Sequence, residues 1–133
     1  MYENLDLVRS IYADWERRDW RSDEWADADI ASVIAGGPEP GSYTGVFVMA
    51  HAWRVFLSAW EDLCTKADEF RELDGERVLV LHTWSGVGKS SALAVQQMTA
   101  KSATLFDVRG GKVTKLVAYW DRDRALADLG LKE

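Results

Sequence analysis

The chain has 133 residues, the length of one domain, and its net charge of −6 with a pI near 4.9 disfavours nucleic acid and anionic membrane as partners, since both draw on clustered Lys and Arg. With 47% apolar and 29% charged residues the composition is that of a globular chain and not a disordered one. No apolar run approaches the ~20 residues of a membrane-spanning helix, and the start Met-Tyr-Glu-Asn-Leu-Asp lacks the basic, then apolar layout of a signal peptide. A cytoplasmic location is the expectation. Cys64 is the one cysteine, with no Cys or His neighbour at zinc spacing, and reads as a small buried hydrophobe. No metal site and no cofactor are expected. Seven tryptophans can serve a core, an interface or an aromatic ligand pocket.

In chain order, Leu5, Val8, Ile11, Tyr12 and Trp15 mark one face of a first helix over 4–18, with Asn4 placed to cap it. Ser22 can cap a short second helix through Trp25 to Ala28, and Ile30 to Ala35 reads as a brief strand leading into the loop Gly36–Gly41. Val46, Met49, Ala50, Trp53, Phe56, Leu57 and Trp60 repeat in steps of three and four, which predicts a third helix packed along most of its length. Beyond Asp62 the period changes to alternation, with strands at about 65–73, 77–87, 93–107 and 112–121. Asp74-Gly75, Gly88-Lys-Ser-Ser91 and Gly110-Gly111 supply the hairpin turns. Asp121 then stands at the N-cap of a short helix, Arg122 to Leu129, stopped by Gly130. The expected class is α+β: three N-terminal helices, a curved antiparallel sheet wrapped around them, and a short C-terminal helix.

The ending Gly111-Lys112, Tyr119-Trp120-Asp121-Arg122 and Gly130-Leu131, with Trp15 to Asp19 and Tyr43-Thr44-Gly45 upstream, resembles the SnoaL-like branch of the nuclear transport factor 2-like superfamily over nearly the whole chain. The resemblance implies a single domain, 1–133, shaped as a cone-like half-barrel, with an apolar cavity on its concave face and a second copy pairing on its convex face. Gly86-Val-Gly-Lys-Ser90 looks like the tail of a phosphate-binding loop. That motif wants Gly where Thr83 stands and a helix afterwards, and the sequence reads as a strand.

Alignment with ketosteroid isomerases, limonene epoxide hydrolases and polyketide cyclases implies inward positions. They are Leu116, Ala118 and Trp120 on the last strand, and Met98, Ala100, Ser102, Thr104 and Phe106 on its neighbour. On the strand over 77–87, Leu79, Leu81, Thr83 and Ser85 are expected inside, leaving His82 and Trp84 on the convex face. Ile11, Tyr12, Trp15, Trp53, Phe56 and Trp60 would close the cavity. The expected ligand-binding set is therefore Tyr12, Trp15, Trp53, Phe56, Trp60, Thr83, Ser102, Thr104, Ala118 and Trp120. Where those enzymes carry an ionisable group, this chain has Ser102, Thr104, Ala118 and about Ile34, none of which titrates. Hydroxyls can orient a ligand without supplying a base. Asp121 is either an acid at the cavity rim or the helix cap, and His82 is either a base or, on the convex face, a dimer-interface residue. Two functions follow as expectations. One is a small-molecule-binding domain for a flat hydrophobic ligand, with cofactor-free isomerisation, cyclisation or hydration as its chemistry. The other is a non-catalytic dimeric scaffold whose tryptophans fill the cone.

Overall fold

A computed structural model describes residues 3–20, 24–36, 40–58, 60–88 and 97–131. The elements are α1 (Glu3–Glu16), β1 (Ala26–Ala35), β2 (Gly41–Thr44), α2 (Val46–Ser58), β3 (Trp60–Glu72), β4 (Arg77–Gly88), β5 (Gln97–Arg109), β6 (Lys112–Tyr119) and α3 (Arg122–Asp128). The six strands form one curved, unclosed sheet in the order β2-β1-β6-β5-β4-β3. Every pair is antiparallel except β1–β6, which is parallel.

Both faces of the sheet are covered, and this sets the composition of the central strands. On the concave face Val8, Ile11, Tyr12 and Trp15 of α1 pack against Val78, Val80, Phe106, Val108 and Val113. On the convex face Ala125 and Leu126 of α3 pack against Leu79, Leu81, Ala103, Leu105 and Tyr119. Each large side chain removed from water in this way stabilises the fold by roughly 1.5–3 kcal/mol before entropy is counted. The turns follow their residues. The Asp74 carboxylate accepts from the backbone N–H of Glu76 (2.8 Å) and Arg77 (2.9 Å), and Gly110 and Gly111 both take positive φ, 59° and 76°, which a two-residue hairpin turn requires.

The structure corrects several expectations. The expected short helix through Trp25 to Ala28 does not form; Ala26–Ala28 open β1, and Ser22 lies outside the described residues. Val113 N–H donates to Trp25 O at 2.8 Å and Ala26 pairs with Val113, so ladder bonding to β6 outweighs the weak local preference of Asp-Ala-Asp. Two helices, not three, precede β3, and the sheet is mixed rather than wholly antiparallel. Asn4 lies inside α1 rather than capping it, and its side-chain amide donates to Gly75 O at 2.7 Å, tying α1 to the β3–β4 turn. The α2 helix stops at Ser58, and Trp60 opens β3. Only Met49 of α2 is buried, while Phe47 is 85% exposed and Val48 and Val55 are exposed as well. The helix therefore rests on the sheet by one edge instead of being packed along its length. Of the expected second hairpin turn, Gly88 closes β4 and Lys89–Ser91 lie outside the described residues.

Candidate functional site

Between α2 and the concave face lies a cavity lined by Trp15, Ser32, Ile34, Met49, Ala52, Trp53, Phe56, His82, Trp84, Thr104, Leu116, Ala118, Tyr119 and Trp120. Its open space is about 60 Å³. Its polar side chains are Ser32, His82 and Thr104, Tyr119 sending its ring to the convex face, and among the described residues no carboxylate, lysine or arginine lines it. The walls are aromatic. All seven tryptophans join one network of ring contacts, through Trp15–Trp25 (6.0 Å between centroids), Trp15–Trp53 (5.6 Å), the stacked Trp20–Trp84 (5.8 Å), Phe56–Trp84 (5.6 Å), Phe56–Trp120 (6.3 Å) and the stacked Trp60–Trp120 (6.4 Å).

The parity expected for the strand over 77–87 is reversed. His82 and Trp84 face the helices, while Leu79, Leu81, Thr83 and Ser85 face outward. The register explains it. Val78 pairs with Phe106, Val80 with Thr104, and His82 with Ser102, and residues directly opposed across an antiparallel ladder share a face. With Thr104 and Phe106 inward, Val78, Val80 and His82 are inward too. Thr83, expected as a ligand contact, instead donates its hydroxyl to Asp68 Oδ2 at 2.7 Å on the far side of the sheet. Ser85 meets Cys64 Sγ at 3.0 Å, so Cys64 is part-buried in a polar contact rather than in an apolar core.

Of the remaining expected residues, Trp15, Trp53, Phe56, Thr104, Ala118 and Trp120 line the cavity. Tyr12 lies behind that wall, Trp60 sits at its edge on Trp120, and the Ser102 hydroxyl is committed to Trp120 O at 2.7 Å. The side chain of Met98 falls outside the described residues. Asp121 is the α3 cap, accepting from Asp123 N–H at 3.1 Å. Ser32, Met49 and Ala52 line the cavity without having been expected there, and so does Trp84, expected on the convex face; Met49 and Ala52 lie on the apolar face of α2, but nothing in the local sequence aims Ser32 inward.

His82 is the polar centre. It is 1% exposed, with Nδ1 3.0 Å from Thr65 Oγ1 and Nε2 2.9 Å from Thr104 Oγ1. Burial, reinforced by the nearby Arg122 charge and opposed by Asp68, lowers its pKa to about 3, so the imidazole is neutral through the physiological range. The Tyr12 hydroxyl is fully buried and its pKa is pushed far above the usual tyrosine range by desolvation, with a small opposing influence from Thr104. Thr104 is its hydrogen-bonding neighbour, and among the described residues the hydroxyl completes no bond of ordinary geometry.

Behind His82, Arg122 clamps three strands. Its guanidinium donates to Asp68 Oδ2 (2.7 Å), His82 O (2.9 Å) and Ser102 O (3.2 Å). Burial raises the Asp68 pKa, but hydrogen bonds from Thr83 and Arg122 outweigh it and hold the carboxyl below the usual range. Replacing Arg122 by Met should destabilise the protein by about 1–3 kcal/mol, because two carbonyls lose a charged donor. A shift in the urea midpoint measures the loss, and an unchanged midpoint would show the clamp to be idle.

Among the described residues no three His, Cys, Asp or Glu side chains are grouped to hold a metal ion, and no helix is long and apolar enough to cross a membrane.

No protein-family model matches the sequence, and no curated protein matches it. Solved structures do. A nuclear transport factor 2-like protein of unknown function from Burkholderia pseudomallei superposes with a TM-score of 0.76 at 20% identity, over 96% of this chain and 97% of that one. A candidate SnoaL-like polyketide cyclase from Jannaschia sp. CCS1 gives 0.73 at 18% identity, over 96% and 89%. TerC, co-crystallised with polyporic acid, gives 0.70 at 21% identity, over 96% and 97%.

Proposed function

We propose that this chain, which has the SnoaL-like fold of the nuclear transport factor 2-like superfamily, is over 1–133 a single domain that binds a small, flat, neutral hydrophobic molecule between α2 and the sheet. The observation that carries the reading is the cavity itself, a pocket of aromatic walls with a few inward polar groups, which is the usual make-up of a small-molecule site. The fold it shares with a protein co-crystallised with a small molecule, polyporic acid, supports the same reading. At about 60 Å³ the open space is far below the ~300–1,000 Å³ typical of a drug-sized site. An apolar cavity of about 150 Å³ takes one benzene ring, so even a single-ring ligand needs α2 to shift outward, and a polycyclic one needs it to swing further. The one-edged packing of α2 makes it the element able to do so.

Binding rather than acid–base catalysis is the better match to the chemistry. A His held near pKa 3 is a weak base at neutral pH, and among the described residues no lining carboxylate replaces it. The rival reading, a non-catalytic scaffold, draws on the same small volume, since seven tryptophans come close to filling the cone. Titration with single-ring aromatics and with larger hydrophobic ketones, followed by Trp fluorescence and melting temperature, separates the two. Saturable quenching with a rise in Tm is expected for at least the single-ring compounds. No change with any compound would leave the scaffold. A cytoplasmic location and pairing of two copies through the convex face belong to the same proposal, and light scattering checks the pairing.

A further inference from the structure

The hydrogen bonds around His82 form a chain whose direction depends on where Thr65 places its one hydrogen, and we take the orientation in which the Thr83 carbonyl receives it. Thr65 Oγ1 donates to the Thr83 backbone carbonyl at 3.3 Å, and a carbonyl can only accept. With its hydrogen spent there, Thr65 offers His82 Nδ1, at 3.0 Å, only a lone pair, so Nδ1 carries the ring proton. The other nitrogen of the neutral ring, Nε2, is then an acceptor, and Thr104 must donate to it across 2.9 Å. Thr104 is left with lone pairs and no free hydrogen. It lines the cavity, and although the nearby Tyr12 hydroxyl, which has no other partner among the described residues, can donate to one of those lone pairs, the second is left for a ligand.

We infer that the cavity selects a neutral ligand that donates a hydrogen bond to Thr104, a phenol or alcohol hydroxyl, over an isosteric carbonyl or ether that can only accept. This rests on the ligand-binding reading above. Thr65, which does not line the cavity, is a positioning residue: it sets the tautomer of His82 and through it the polarity of Thr104. A carboxylate is disfavoured for a separate reason, since among the described residues no lysine or arginine lines the cavity to pair with it.

The test uses phenol, anisole, benzaldehyde and toluene against the full chain, with long-range ¹H–¹⁵N spectra of the His82 imidazole. Phenol should bind about tenfold tighter than the other three, the worth of one hydrogen bond gained against one left unmade, and the ring should show a protonated Nδ1 with an unprotonated Nε2. Thr65→Val removes the partner of Nδ1, so the proton should move to Nε2, freeing the Thr104 hydrogen and shifting the preference from phenol towards benzaldehyde. Thr65→Ser should restore the original order. Thr104→Val should bind all four rings within about twofold. Binding without preference, or a wild-type ring protonated on Nε2, overturns the inference and leaves the binding site standing. Failure of all four to bind overturns the binding reading together with it.

Discussion

Between pH 6.5 and about 3 the protein loses stability through His82 at up to about 1.4 kcal/mol per pH unit. The sign follows from which state takes the proton. Unfolded, the ring has an ordinary pKa near 6.5; folded, burial first and the Arg122 charge second hold it to about 3, against a smaller pull from Asp68. Above pH 6.5 both states are neutral and the folded structure keeps its full stability. As pH falls, the unfolded chain is protonated and the native chain is not, so unfolding becomes easier until the folded pKa is reached. Urea midpoints at pH 7, 5 and 4 for the wild type and His82→Gln test this. The glutamine variant lacks the titration, so the stability gap between the two proteins should narrow on acidification. Parallel curves would show that the ring is not held neutral.

Trp15→Ala should cost about 3–5 kcal/mol, the range for emptying a large aromatic site. Trp15 is 3% exposed and its ring contacts Tyr12, Trp20, Trp25, Trp53 and Phe106, so it joins α1, α2 and β5 at the base of the cavity. Against a total stability of ~5–15 kcal/mol this is a large share, and Tm should fall by roughly 10 °C or more. Phe47→Ser, on the exposed face of α2, should stay within about 0.5 kcal/mol. A Trp15→Ala protein as stable as the wild type would mean that the aromatic network is ornamental to folding, and a strongly destabilised Phe47→Ser protein would mean that the outer face of α2 is covered.

Much of the architecture was legible. Val8, Ile11, Tyr12 and Trp15 fall at helical spacing and bury against the sheet, Gly110-Gly111 turns where positive φ is needed, and Asp121 caps α3. The parity of β4 was not. Its run Val78-Leu79-Val80-Leu81 is apolar on both sides because α1 covers one face and α3 the other, and alternation carries no signal when both faces are dry. Nor was β1 legible at its start, since the parallel pairing of Ala26 with Val113 joins segments far apart in the sequence.

The helices α1 and α2, the succession of strands from β3 onward, the turns at Asp74-Gly75 and Gly110-Gly111 and the apolar lining of β6 were determined by the sequence alone, because helical period, alternation and turn chemistry act over a few residues. Which way His82 points was decided by tertiary structure. Its side depends on its partner Ser102 across the ladder and on α3 covering the opposite face, and a one-residue change of register would have turned the ring, and with it the polar centre of the cavity, to the other side of the sheet.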